Sequence, residues 1–161
     1  VSRGANVVIL GSGEQRYEAM MNELHSRFPT QVAVYIGYNE ELAHLIYAGS
    51  DFFLMPSLFE PCGLGQMIAQ RYGTLPLVRR VGGLKDSVIG FDGTNLSSAN
   101  GIAFDFYSLE AMHGTINYAL DIFYEKKKEF NRLVINALMT DHSWQKSAQE
   151  YEMLYKSIIN I

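Results

Sequence analysis

Strands that alternate with helices predict an α/β domain built on a Rossmann-like parallel sheet with helices on both faces, followed by a helical tail. Three observations carry this expectation. Short apolar runs of strand length recur along the chain, each bounded by glycine or proline. The stretches between them place apolar residues at helical spacing. A strand–helix–strand order, repeated, joins parallel strands through right-handed crossovers and covers both sheet faces.

Each element has its own signal. Asn6 to Leu10 is the first apolar run, and Gly11-Ser12-Gly13 turns the chain after it. Tyr17, Met20, Met21, Leu24 and Phe28 recur at helical spacing until Pro29. Gln31 to Ile36 reads as the second strand, ended by Gly37, and Glu40 to Ala48 as a short helix closed by Gly49. Asp51 to Met55 is a buried strand that stops at Pro56. Two glycines then open a helix from Leu64 to Tyr72, which Gly73 ends. Leu75 to Val78 is a fourth strand, and Gly82-Gly83 leads into a helical turn around Leu84 to Val88. Residues 90–101 form the one clear loop, and Gly101 to Phe104 the last strand. Leu109, Met112, Ile116, Leu120 and Phe123 mark an amphipathic helix, and Phe130, Leu133, Val134 and Leu138 mark another. Asp141 or Ser143 caps a final helix carrying Trp144, Ala148, Tyr151, Tyr155 and Ile158. The expected division is a main domain over residues 1–140 and a C-terminal helix over 141–161.

The 161 residues suffice for one domain with a substantial core. A net charge of −4 leaves no basic surplus for neutralising phosphates, so nucleic acid is not the expected partner. No apolar stretch approaches the roughly 20 residues that span a bilayer, and the first residues do not read as a secretory signal. The single cysteine excludes an internal disulfide framework and fits a reducing compartment. A start at Val1, running almost directly into a strand, is expected of a cut inside a longer protein.

The segment from Ser57 to Met67 concentrates the chemistry. Glu60 falls just past the carboxyl end of a strand, where open α/β sheets collect ligands. Gly63 to Gln66 lie where a helix begins, and the unpaired N–H groups of a helix start suit an anion such as phosphate. A carboxylate beside an anion site suggests a phosphate-bearing ligand with a polar group for Glu60 to hold. Tyr38, at the end of the second strand, is expected close to that point. Its ring either stacks on a nucleobase or is a partly buried loop tyrosine.

Other features read more plainly. Gly11-Ser12-Gly13 lacks the third glycine of a dinucleotide fingerprint, because Arg16 stands there, so a turn is the better reading. The four histidines have no mutual metal-ligand spacing, and no metal or cofactor is expected. Cys62 reads as a buried inert thiol. Gly82-Gly83 allows a close approach of backbone to a ligand.

Pro56-Ser57-Leu58-Phe59-Glu60-Pro61-Cys62-Gly63-Leu64, the segment from Arg71 to Arg80, and Gly82-Gly83-Leu84-Lys85-Asp86-Ser87-Val88 together resemble the bacterial glycogen synthases and plant starch synthases. Ile36-Gly37-Tyr38 and Asp141-His142-Ser143-Trp144 fit the same family, which usually has phenylalanine at the His142 position. The resemblance covers nearly the whole chain apart from residues 90–100. It implies the C-terminal, nucleotide-sugar-binding half of a glycosyltransferase-B fold. The implied reaction is retaining transfer of glucose from ADP-glucose or UDP-glucose to an α-1,4-glucan, without a metal, in a bacterial cytoplasm or a plastid stroma. By similarity Glu60 is the glutamate essential for transfer. The backbone of Cys62 and Gly63 faces the glucose hydroxyls, Leu64 and Gly65 offer N–H groups to the distal phosphate, and Tyr38 stacks on the base.

Three departures from the pattern matter. The family usually has a hydroxyl residue at Gly65, so one phosphate contact is absent or left to backbone, and Val81 replaces the usual threonine. The wider superfamily's second glutamate falls at Ile68, a position where glycogen and starch synthases also lack a carboxylate. In the family an N-terminal domain carries the acceptor site, a catalytic histidine and the basic phosphate loop, so this chain alone is expected to be inactive. From Tyr151 on, the final helix is expected to cross toward that domain, with Trp144 in the core of its own. The rival reading is a non-catalytic nucleotide- or glucan-binding module, toward which Gly65 and Val81 lean; Glu60 favours the enzyme. A dinucleotide enzyme is disfavoured by the failed glycine fingerprint.

Overall fold

The computed structural model describes residues 1–159, which form two compact units, Val1–Ser50 and from Asp51 onward. In the first, β1 (Val7–Gly11), α1 (Gln15–Arg27), β2 (Val32–Ile36) and α2 (Glu40–Gly49) follow in order. β1 and β2 pair in parallel from Val7↔Val32 to Gly11↔Ile36. α1 packs on β2, and a ring nitrogen of His25 lies 2.6 Å from the Val32 carbonyl oxygen. Asn39 caps α2 by accepting from the Leu42 N–H at 2.9 Å, which satisfies one of the orphan donors of a helix start. Val32 is the buried apolar residue of this unit.

The second unit holds β3 (Phe52–Met55), α3 (Gly65–Arg71), β4 (Leu75–Arg79), α4 (Gly82–Ser87), β5 (Ile102–Phe104), α5 (Leu109–Glu125), α6 (Lys127–Met139) and α7 (Trp144–Ile159). Its three strands are parallel in the order β3-β4-β5. β4 is central and reads Leu-Pro-Leu-Val without polar alternation, as a strand buried on both faces must. Period-2 geometry then sorts its side chains. Leu75 and Leu77 join Ile102, Ile122, Leu133 and Ala137 in one core, under α5 and α6. Val78 turns the other way and packs with Leu84 and Val88 at α4. Phe52 closes the first core edge-on against Phe123 and Phe130, at 6.0 and 5.6 Å between ring centres. Full burial of one such leucine or isoleucine is worth about 1.5–3 kcal/mol.

Helices thus cover both faces of a parallel sheet, as expected, but the ladders are two rather than one. Hydropathy marks strands without naming their partners, and pairing had to come from the structure. Two smaller differences concern length. β4 runs on through Arg79, and the turn expected around Leu84 to Val88 is a helix that already starts at Gly82. The loop at 90–101 is ordered by its own side chains: Asp92 accepts from the Thr94 N–H and hydroxyl, which holds its carboxyl below the usual aspartate value.

Trp144 is a correction. It is 87% exposed and not part of the core, and α7 has no buried residue among those described. The helix period is real, but the apolar stripe of Tyr151, Leu154, Tyr155 and Ile158 faces solvent. Among the described residues no helix is long and apolar enough to cross a membrane.

Candidate functional site

Parallel order puts the carboxyl ends of β3 and β4 side by side, so the chain leaving each meets the other. From β3 comes the loop from Pro56 to Leu64, and from β4 the turn Arg79 to Gly83. Arg79 reaches across and donates from Nη1 to the carbonyls of Ser57 (3.1 Å) and Leu58 (3.0 Å), with its guanidinium 5.5 Å from the Tyr107 ring centre. Arg80 pairs with Asp105 at 3.0 Å. Both arginines are therefore engaged with the protein, Arg79 as a structural tie for the loop.

Gly82 and Gly83 hold the other side. The Gly83 N–H donates to the carbonyls of Glu60 and Pro61, each at 3.2 Å. A Cβ on Gly83 would fall on the Cys62 carbonyl, 2.6 Å from its carbon, and one on Gly82 would fall on the Glu60 carbonyl. The close approach expected at this pair is made to the loop's own backbone. Two glycines let α4 start against the loop that carries Glu60.

Within this frame the predicted residues take their places. Glu60 is half-buried, and the Ser57 hydroxyl lies 3.4 Å from its Oε2. Cys62 is exposed, which corrects its reading as a buried thiol. Gly63 adopts φ +73°, a left-handed turn that sends the chain into α3. Leu64 caps α3 and Gly65 begins it; N–H groups in a first helical turn have no acceptor inside the helix. Glu60, Cys62, Gly63, Leu64 and Gly65 thus share one loop and helix start. Tyr38 belongs to the first unit, two residues past β2, 86% exposed, with its hydroxyl 3.4 Å from Glu40 Oε2.

Sequence reasoning missed the support beneath the loop. Gln66 and Gln70, one turn apart on α3, are wholly buried. Gln66 Nε2 has the carbonyls of Cys62 (3.2 Å) and Gly63 (3.0 Å) and the Ser87 hydroxyl (3.0 Å) within reach, and that hydroxyl donates to the Gly83 carbonyl at 2.6 Å. Gln70 Nε2 donates to the Asn100 carbonyl at 3.2 Å, and its Oε1 lies 2.6 Å from His142 Nε2. Desolvation of the ring, helped by Lys146 and opposed by Asp141, holds His142 below the usual histidine value. The two amides sit four apart on a seven-residue helix whose other buried residue is Ala69, and nothing local in the sequence marks them as buried.

Among the described residues no three His, Cys, Asp or Glu side chains group to hold a metal ion. Two open concavities of about 430 and 360 Å³ share Arg80, Phe91, Asp92 and Ala103, and neither is lined by Glu60 or by residues 62–65.

The comparisons with known proteins bear on the family and the fold. The chain is 49% identical to a Kosmotoga olearia glycogen synthase over 160 residues, 99% of this chain and 33% of that protein. It is also 49% identical to a Bacillus cereus glycogen synthase over 152 residues, 94% of this chain and 32% of that protein. The chain spans about a third of the length of these curated relatives. Its fold matches the catalytic domain of Arabidopsis thaliana starch synthase IV bound to ADP and acarbose, with a TM-score of 0.82 and 29% identity, over all of this chain and 40% of that one. The parallel α/β arrangement is that of a glycosyltransferase-B domain. Residues 2–136 match the family model described as glycosyl transferases group 1, and to that family the chain belongs.

Proposed function

We propose that this chain is the nucleotide-sugar-binding half of a retaining glucosyltransferase that extends an α-1,4-glucan from ADP-glucose or UDP-glucose. The observation that carries this is the loop after β3, where a half-buried carboxylate stands five residues ahead of a helix start. In this reading Glu60 meets the reacting sugar. The backbone of Cys62 and Gly63 faces the glucose hydroxyls, the N–H groups of Leu64 and Gly65 meet the distal phosphate, and Tyr38 stacks on the base. That the starch synthase matched above holds ADP and acarbose supports the choice of ligand.

The site is open on its own chain and uses its neighbouring arginines structurally. Charge on a departing nucleotide must then be stabilised by groups outside it, at several kcal/mol. We assign these groups, and the glucan acceptor site, to an N-terminal domain of the same enzyme. The exposed apolar side of α7, residues 141–161 in the sequence reading, fits a helix that crosses toward that domain; Asn160 and Ile161 lie outside the described residues. The single exposed thiol suits a reducing compartment, the cytoplasm of a bacterium or the stroma of a plastid.

Two outcomes test the reading. Calorimetric titration of the chain gives weak binding of ADP and none of NAD; NAD binding without ADP binding would overturn it. Incubated alone with radiolabelled ADP-glucose and glycogen, the chain incorporates no label, because the acceptor site and the phosphate clamp lie elsewhere. Incorporation by the chain itself would overturn that division of labour.

A further inference from the structure

We infer that His142 is a positioning residue, latching the segment after α6 to the loop that carries Glu60 through the buried amides of α3. This rests on the functional reading above for what the loop binds, and on hydrogen bonds alone for the latch. The Gln70 amide is oriented by its surroundings. Its nitrogen must face the Asn100 carbonyl, which needs a donor, so its oxygen faces His142. His142 therefore donates from Nε2. Asn100 ties the same place a second time, donating to the Thr140 hydroxyl at 3.2 Å and to the Ser87 carbonyl at 3.3 Å.

Ser87 is the junction. Its carbonyl receives the Asn100 amide, and Gln70 Nε2 lies 3.5 Å from it; its hydroxyl receives Gln66 and donates to Gly83. Gln66 in turn holds the carbonyls of Cys62 and Gly63. A continuous set of polar contacts so runs from His142 to the backbone expected to face the sugar. Gln66 Oε1 is buried without a partner in the structure, so the amide that clamps the loop has no second tie of its own. Its place depends on its nitrogen contacts, and through Ser87 on Gln70 and His142. A phenylalanine at position 142 would fill the space and leave Gln70 Oε1 buried without a donor.

Amide hydrogen exchange on the whole chain tests the latch without nucleotide. The Gly83 N–H, which bonds the Glu60 and Pro61 carbonyls, reports the loop, and the Val78 N–H in the central strand reports global opening. In His142→Phe the Gly83 amide exchanges about tenfold faster, because opening the loop relieves an unsatisfied buried acceptor, and Val78 speeds up by no more than the same factor, because global unfolding relieves it too. His142→Gln, which restores an amide donor, returns Gly83 to the native rate. ADP affinity, measured on the same samples, falls severalfold in His142→Phe and recovers in His142→Gln. An unchanged Gly83 rate, whether or not Val78 speeds up, or no recovery in His142→Gln would overturn the latch. Faster loop exchange with unaltered ADP affinity would overturn its positioning role. Failure of the native chain to bind ADP at all would sink the nucleotide reading while the exchange result still decides the latch.

Discussion

Replacing Glu60 with glutamine in a full-length glucosyltransferase carrying this domain is expected to lower kcat by about two orders of magnitude or more, roughly 3 kcal/mol. Nucleotide affinity stays nearly intact. The reasoning is positional. Glu60 precedes the first residue of α3 by five positions, and its backbone carbonyl is held by the Gly83 N–H. Its side chain is thus carried by the loop and not by the helix start, where N–H groups are available for phosphate. A neutral amide of equal size keeps the packing and removes only the charge. That charge is worth most when the sugar carbon becomes positively charged and oxocarbenium-like. An interaction stronger in the transition state than in the ground state appears in kcat and not in binding. Steady-state kinetics alongside ADP titration separates the cases. A parallel fall in ADP affinity would make Glu60 a nucleotide ligand, and an unchanged kcat would remove it from the chemistry.

The path from sequence to this site was legible where the signal is local. Apolar runs punctuated by glycine and proline placed each strand, and helical spacing placed each long helix, because both patterns follow from backbone geometry alone. The string from Phe59 to Leu64 located the loop for a similar reason: strand end, carboxylate, glycine and helix start occur in one stretch.

What stayed hidden depends on residues far apart. Arg79 and the loop carbonyls it holds are 21 and 22 positions apart, and His142 and Gln70 are 72 apart. Nothing in the sequence near Gln66 or Gln70 says that their amides are buried. Polar residues on a helix are ordinarily read as its wet face, and here they are the dry one. Trp144 fails in the opposite sense. Its helix has an apolar stripe that period alone assigns to a core, yet among the described residues that stripe is exposed. Periodicity tells which residues share a face and is silent on what the face meets.

Gly83→Ala is expected to destabilise the chain by about 3 kcal/mol, the sum of a backbone overlap and weakened hydrogen bonds to the loop. The added methyl has no room. Its position falls on the Cys62 carbonyl, and what it meets is backbone, which cannot rotate aside as a side-chain tip would. Either α4 retreats from Val81 onward or the loop with Glu60 moves, and both break the Gly83 bonds to Glu60 and Pro61. Gly114→Ala supplies the control. Gly114 lies inside α5 with nothing within 4 Å of an added Cβ, so the same methyl should stabilise by up to about 1 kcal/mol through helix propensity. Urea unfolding of the two variants reads this as midpoints moving in opposite directions at unchanged slope. If Gly83→Ala unfolds at the native midpoint, the loop and α4 are not in contact, and the frame proposed to hold Glu60 fails with it. If its midpoint falls as expected, ADP binding should fall too, because the displaced loop carries the Cys62 and Gly63 backbone. Gly114→Ala, 31 residues away in sequence and on another helix, should bind ADP as the native chain does.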